Sequence, residues 1–358
     1  MDISKRILFL DWLRIFSFSS VLIGHKFYDL LYTISQNDFI HESLRLIIKL
    51  LLPFCFGGGA GVVVFFLISG YVITHVLQKE QPLEFFIKRI FRIYPLYIVA
   101  VLLQYWFMHL PVTPHILIPQ LLLLGDFFDT PHTLSGVEWT LRIEVLFYIF
   151  MLCLRHLKII GQYDYTLPWI IMGTTLLLGY ISPLPRETLA NHGYVNIYAP
   201  FLFIGVFVWL YEYKKINLTF IGAFSCLVLL QHWHLIDTYQ PDWRHANFAI
   251  LGTLLFFAFW LLREHLIYNR VIFYVSKLTY SVYLFHCLLF DVMKRWLDWS
   301  GLLHYHNPII LALLFAICAL LVKFIEQPGI KAGYHVLQYI ITLKYSRRPK
   351  KIAVSDLL

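Results

Sequence analysis

The chain has 358 residues, of which 14% are charged and 59% apolar, with a formal net charge of +8. An ordinary soluble protein is roughly 25% charged, so the composition excludes a soluble globular enzyme, a disordered chain and a disulfide-stapled secreted module. Long apolar runs without period-2 alternation also exclude an outer-membrane barrel and leave an all-α polytopic membrane protein.

A crossing helix needs about 20 mostly apolar residues. In chain order such segments fall at 7–29, 58–77, 94–110, 137–154, 165–181, 196–212, 217–234, 246–262, 276–293 and 307–325. They predict about ten transmembrane helices. The stretch 116–128 is apolar but short, and Asp126, Asp129 and Pro131 close it. Basic residues decide its place, because cytoplasmic loops carry the excess of Lys and Arg. With 116–128 outside the bilayer and both termini cytoplasmic, 18 Lys and Arg fall on the cytoplasmic side and five in outer loops. If it crossed, every later loop would invert and the basic C-terminus would face outward. Residues 116–128 are therefore expected as a re-entrant or interfacial piece on the outer side, packed on protein or lining a cavity.

Asp11 and Arg14 interrupt the first apolar run and no small-residue cleavage site follows, so it reads as a span rather than a cleaved signal. Residues 1–333 form one membrane domain. Residues 334–358 read as an amphipathic helix with a basic cytoplasmic tail, KYSRRPKK, suited to anionic membrane lipids. The positive charge is thus topological, and nucleic acid is not an expected partner. All five cysteines lie in apolar runs and read as core residues.

Ionisable residues within spans are costly and mark candidate sites. In the first span, Arg14 and His25 are 11 residues apart, about three full turns, so they share a helix face about 16 Å apart along the axis. Arg14 lies toward the cytoplasm and His25 toward the outside. The plainer alternative is that Arg14 pairs with Asp11 while His25 only bonds a neighbouring helix. In the fourth span, Trp139-Thr-Leu-Arg-Ile-Glu-Val-Leu-Phe-Tyr148 places Glu144 about two turns below the outer surface. His286 in the ninth span lies at a similar depth. A histidine with a carboxylate nearby has the makings of a general base. Arg142 competes for Glu144, or pairs with an acid on another helix.

The first cytoplasmic loop, Phe85-Phe-Ile-Lys-Arg-Ile-Phe-Arg-Ile-Tyr-Pro95, sets Arg89 and Arg92 on one helix face with Lys88 beside them. Paired arginines suit phosphate, although basic residues also simply anchor spans. The glycines of Gly57-Gly-Gly-Ala-Gly61 permit close helix approach and are not a Walker loop. The pairs His232/His234 and His304/His306 are spaced i, i+2, do not share a helix face and have no cysteine partner, so no metal is expected.

Four strings in order now resemble the acyltransferase-3 family of membrane O-acyltransferases, which modify envelope glycans. LDWLRIFSFSSVLIGH matches the family's Arg-x10-His pattern at Arg14 and His25. GGGAGVVVFFLISGYVITHVL is similar to its glycine-rich segment through Phe65, Phe66, Ser69, Gly70 and Tyr71. FIKRIFRIYPLY matches its Arg-x-x-Arg-x-Tyr-Pro loop, and WTLRIEVLFY its Trp-Ser-Leu-x-x-Glu segment, with Thr140 for the usual Ser and Arg142 where a small residue is common. Weaker echoes are LTYSVYLFH, with Tyr280, Tyr283 and His286, and FIEQPGIK, with Glu326 and Pro328.

The resemblance implies ten spans, a bacterial inner-membrane location and an acyl-CoA donor, usually acetyl-CoA, used from the cytoplasm. The acceptor would be a hydroxyl of an envelope glycan or lipid-linked sugar. Arg14 and His25 would be required, with Arg89 and Arg92 on the donor side. The chain ends soon after the last span, where some relatives append an SGNH-type esterase domain. Either an extracytoplasmic partner completes the transfer or the membrane domain acts alone or as a homo-oligomer. In the resulting scheme the nucleotide stays near Lys88, Arg89 and Arg92 and the pantetheine arm enters past Arg14. His25 acts as general base or transient acyl carrier, and Glu144 orients it. Ser69, Tyr71 and Tyr283 are candidate oxyanion donors. The rival class is a proton-coupled transporter or glycan flippase, which also needs intramembrane Arg, His and Glu. Neither an inverted repeat nor paired broken helices support it.

Overall fold

Every regular element among the described residues is helical. The computed structural model describes residues 7–346 except 111, 129, 131–133, 135, 163–164, 187–191 and 301–305. In order the helices are α1 (Leu8–Lys26), α2 (Tyr28–Gln36), α3 (Glu42–Cys55), α4 (Gly59–Leu77), α5 (Pro82–Met108), α6 (Pro114–Leu121), α7 (Glu138–His156) and the short α8 (Ile159–Gln162). There follow α9 (Leu167–Tyr180), α10 (Tyr194–Glu212), α11 (Leu218–Tyr239), α12 (Phe248–Leu261), α13 (Arg270–Lys277), α14 (Thr279–Ser300), α15 (His306–Leu321) and α16 (Gln327–Ser346).

A helix occupies each of the ten expected segments, but not all are long enough to cross a membrane. Five stretches are long and apolar enough: Leu8–Lys26, Glu42–Leu77, Tyr194–Glu212, Leu218–Tyr239 and Asn307–Leu343. A sixth counts if α13 and α14, bent by 57°, act as one span. At 1.5 Å per residue, the 14-residue helices α9 and α12 reach about 21 Å, short of a ~30 Å hydrocarbon core. The chain is a multi-pass membrane protein by these helices. The stretch 116–128 is far too short to cross: α6 has eight residues and a 3-10 turn, Gly125–Phe127, follows. It is held to the bundle by polar contacts, with Tyr97 Oη donating to the Gln120 carbonyl at 2.6 Å.

Residues 28–55 depart from expectation. Expected as the end of the first span and then, from residue 30, a loop, they form the hairpin α2–α3, and α3 runs almost directly into α4. The expected boundary at 333 falls inside α16, and 347–358 lie outside the described residues.

Helices that are apolar all round belong inside a bundle, and α4 and α10 are such helices, buried along most of their lengths. They meet through glycines. A Cβ on Gly70 would stand 1.7 Å from the Leu202 carbonyl oxygen, and one on Gly205 would stand 2.1 Å from the Leu67 carbonyl oxygen. Both obstacles are backbone and cannot swing aside, which is the small-residue packing that lets membrane helices approach closely. Gly70→Ala is therefore expected to lower the thermal midpoint in detergent, with about 1–3 kcal/mol lost. An unchanged midpoint would contradict the contact. The same device joins α16 to α5, where Cβ atoms on Gly329 and Gly333 would meet Pro95 and Phe91 at 2.8 and 2.7 Å. The basic segment of α5 is thereby braced along one side.

Candidate functional site

The last turn of α1 is pinned by glycine. A Cβ on Gly24 would lie 2.3 Å from both the Cys55 oxygen and the Gly58 nitrogen, so α1 touches the turn joining α3 to α4. Gly57 and Gly58 make that turn with φ of +53° and +72°, where a side chain is strained. The close approach sets His25 on the wall of a pocket of about 270 Å³ lined also by Lys26, Asp29, Phe56, Gly57 and Trp243.

Behind His25 stands α14. His25 Nδ1 lies 2.8 Å from His286 Nε2, and His286 Nδ1 lies 2.7 Å from the Tyr283 carbonyl oxygen. A carbonyl only accepts, so His286 Nδ1 carries a proton and neutral His286 offers the Nε2 lone pair. His25 then donates from Nδ1, and the Gly57 backbone lies within hydrogen-bond reach of the same imidazole beside the pocket. Lys26 and Asp291, 2.6 Å apart, bind α1 and α14 on the next turn.

The expected partnership of His25 with Glu144 is not what the structure forms. Glu144 accepts from Ser69 Oγ at 2.9 Å and from the Tyr148 hydroxyl. The place expected for a carboxylate is taken by a second imidazole. Tyr283 lies near both groups: its ring centroid is 6.2 Å from that of His286, it stands within electrostatic reach of Glu144, and its hydroxyl meets Thr140 Oγ1 at 2.6 Å. Tyr148 in turn lies within electrostatic reach of Arg89 and Arg92. A line of polar side chains thus connects the His25 end of the bundle to the arginine end.

Tyr71 is not on that line. Its ring packs on Phe9 near the start of α1 and its hydroxyl donates to Glu212 at 2.5 Å. It lines a separate pocket with Lys214 and Arg263, so it does not face His25 as an oxyanion donor would. Arg14 makes the plainer contact: its guanidinium donates to Asp11 at 3.1 Å, and Asp11 also accepts from Ser276 of α13.

The basic trio divides. Lys88 bonds Glu80 at 2.7 Å and Glu84 at 2.6 Å. Partial burial pulls its pKa down, but these two carboxylates outweigh it and hold the ammonium above the ordinary lysine value. Arg89 is half-buried with its Nε unpartnered, and Arg92 is exposed. Neither forms an ion pair among the described residues, so these two are the cations left for an anionic ligand.

Arg142 pairs with an acid on another element, as one of its two expected fates had it. It bonds Asp126, also donates to the Leu123 carbonyl at 2.8 Å, and Tyr194 completes the cluster at 2.8 Å from Asp126. This buried ion pair ties the 116–128 stretch to α7 and α10.

Sequence reasoning missed Trp243, which has no motif, and Cys287, read as a core residue. Cys287 is buried but stands 3.7 Å from His25 Nδ1, while Cys153 and Cys226 are exposed. Of the histidine pairs, His232 is buried among Tyr198, Phe201 and Phe248 while His234 is exposed. His304 lies outside the described residues.

Comparison with known proteins agrees with these elements. A Staphylococcus aureus protein named as a candidate O-acetyltransferase is 24% identical over 331 residues, covering 79% of this chain and 54% of that protein. The chain thus spans about half the length of these S. aureus relatives. Nodulation protein 10 of Rhizobium leguminosarum is 25% identical, covering 76% of this chain and 82% of that protein. A candidate acetyltransferase of Acidianus two-tailed virus is 22% identical over 66% of this chain and 74% of its own. No solved structure gives a significant match. The family model described as an acyltransferase domain, acyltransferase-3, matches residues 7–325. With its helices, its Arg-x10-His face on α1 and a match over nearly the whole chain, the protein belongs to the acyltransferase-3 family.

Proposed function

We propose that this protein is an O-acyltransferase that moves an acyl group, acetyl foremost, from acyl-CoA to a hydroxyl of an envelope glycan or lipid-linked sugar. The observation that carries the reading is the His25–His286 pair, which holds the His25 imidazole at a pocket wall. In this reading the chain crosses a bacterial inner membrane ten times with both termini cytoplasmic, and 116–128 lies at the outer interface. The His25 pocket then faces outward and Arg89 and Arg92 face the cytoplasm.

The CoA phosphates stay at the arginine end, because burying them in hydrocarbon is prohibitive. The uncharged pantetheine carries the thioester along the Tyr148–Glu144–Tyr283 line. The acceptor hydroxyl attacks the thioester carbonyl while His25 Nε2 takes its proton, and the C–S bond breaks. His25 then returns that proton to the departing CoA thiolate. Ser69 and Tyr283 are the hydrogen-bonding groups nearest this route, and Arg14 with Asp11 holds the lower part of α1 against α13.

Purified protein given labelled acetyl-CoA should release CoA in a His25-dependent way. A transporter would release none, and that result would overturn the reading. Arg89→Ala with Arg92→Ala should raise the KM for acyl-CoA by at least about tenfold, since each charge-assisted hydrogen bond contributes ~1.5–3 kcal/mol. Lys88→Ala should change that KM far less, because Lys88 is already committed to Glu80 and Glu84. Equal effects of the two changes would contradict this division.

A further inference from the structure

The scheme for acyl transfer leaves one group beside His25 unused. Cys287 follows His286 on α14, and its Sγ approaches the same His25 Nδ1 that meets His286. One donor atom from each of His25, His286 and Cys287 lies within 4.8 Å of the others.

Two imidazoles and a thiolate are a borderline-soft donor set of the kind that holds zinc. With Zn–N of about 2.05 Å and Zn–S of about 2.3 Å, a tetrahedral ion sets its N···S separations near ~3.6 Å and its N···N separation near ~3.3 Å. The observed N···S distance of 3.7 Å already fits. The observed N···N distance of 2.8 Å is a hydrogen bond, so the rings must part by about half an ångström once a metal replaces the shared proton, and Cys287 Sγ must come to ~3.6 Å from His286 Nε2 from within 4.8 Å. His286 is also oriented as metal-binding histidines usually are, with its far ring nitrogen on a backbone carbonyl. Lys26, the nearby cation, is neutralised by Asp291 at 2.6 Å.

We propose that His25, His286 and Cys287 form a reversible, inhibitory site for Zn²⁺ and similar borderline metal ions. On binding, Cys287 loses its thiol proton to water and Sγ bonds the metal, as do His25 Nδ1 and His286 Nε2. The proton of His25 Nδ1 moves to Nε2. The nitrogen facing the pocket then carries a hydrogen and no longer accepts one from a hydroxyl. The inhibition rests on the acyltransferase reading, whereas the binding does not.

The test uses the full-length protein in detergent. Co²⁺ added without acyl-CoA should give a near-ultraviolet thiolate-to-metal absorption that Zn²⁺ displaces. Cys287→Ser and Cys287→Ala should lose it. In the CoA-release assay Zn²⁺ should inhibit the wild-type protein. Cys287→Ser should keep basal turnover and need at least about tenfold more Zn²⁺, since even second-shell losses cost ~10–100-fold in affinity. No thiolate band in folded wild-type protein, or a band that survives in both variants, overturns the site. Equal Zn²⁺ sensitivity of wild type and Cys287→Ser overturns its inhibitory role. A Cys287-dependent band in a protein that never releases CoA supports the site and overturns the acyltransferase reading instead.

Discussion

His25→Ala is expected to lower acyl transfer by about 10²–10⁴-fold, the usual contribution of a positioned general base, with membrane insertion and thermal midpoint nearly unchanged. His25 lies at a pocket wall, so removing its ring leaves open space rather than a hole in the core. His286→Ala should act in the same direction through His25. Without the Nε2 acceptor, the His25 proton loses its 2.8 Å partner at Nδ1, and the fraction of molecules in the basic tautomer falls. His286→Gln, whose amide oxygen accepts the same hydrogen bond, should restore part of the rate. The KM for acyl-CoA should stay constant throughout, because the arginine end is untouched. Full activity in folded His25→Ala would remove the basis of the mechanism.

Arg142→Ala is expected to cost about 3–5 kcal/mol, the range for breaking a buried ion pair by removing one partner. Both side chains are 2% exposed, so the loss leaves the Asp126 carboxylate buried without the guanidinium that neutralises it. The thermal midpoint in detergent should drop sharply and protease cutting around residues 116–130 should rise. Removing both charges, as in Arg142→Met with Asp126→Leu, should restore most of the loss. A single mutant as stable as the parent would mean the pair is not closed in the membrane.

Much of the fold was legible because hydropathy reports directly on segments that must be enclosed or face lipid. It marked every segment where α1, α4, α7, α10 and α14 stand, and the count of Lys and Arg argued against a crossing by 116–128, where the structure has only the eight-residue α6 and a 3-10 turn. It missed the α2–α3 hairpin because Asp29, Glu42, Arg45 and Lys49 interrupt the apolar run. Those residues share the hairpin with exposed Leu44, Ile47, Leu50 and Leu51, an amphipathic pattern rather than a continuous one. Within the site, direction was what the sequence left open. Counting turns placed His25, Glu144 and His286 at similar heights, yet height along a helix says nothing of which neighbour each faces. Lys88 could have been set apart from the arginines at once, since Glu84 lies four residues before it. Cys287 carried no signal, because a cysteine in an apolar run looks the same whether it packs on leucine or on imidazole.

The turn at Gly57 has a consequence for how such a pocket changes over time. Trp243 lies so close above it that a Cβ on Gly57 would fall 2.1 Å from the indole. The indole belongs to a 3-10 turn, Pro241–Trp243, between α11 and α12, outside the helices that bear His25, His286 and the arginines. One wall of the pocket can therefore be recut by changes in a surface connection, where sequence drift is best tolerated. The proton-handling pair and the anion end remain as they are. Under the proposed acyl transfer, the pocket wall and the proton-handling pair belong to separate parts of the fold, so the wall can change while the pair stays.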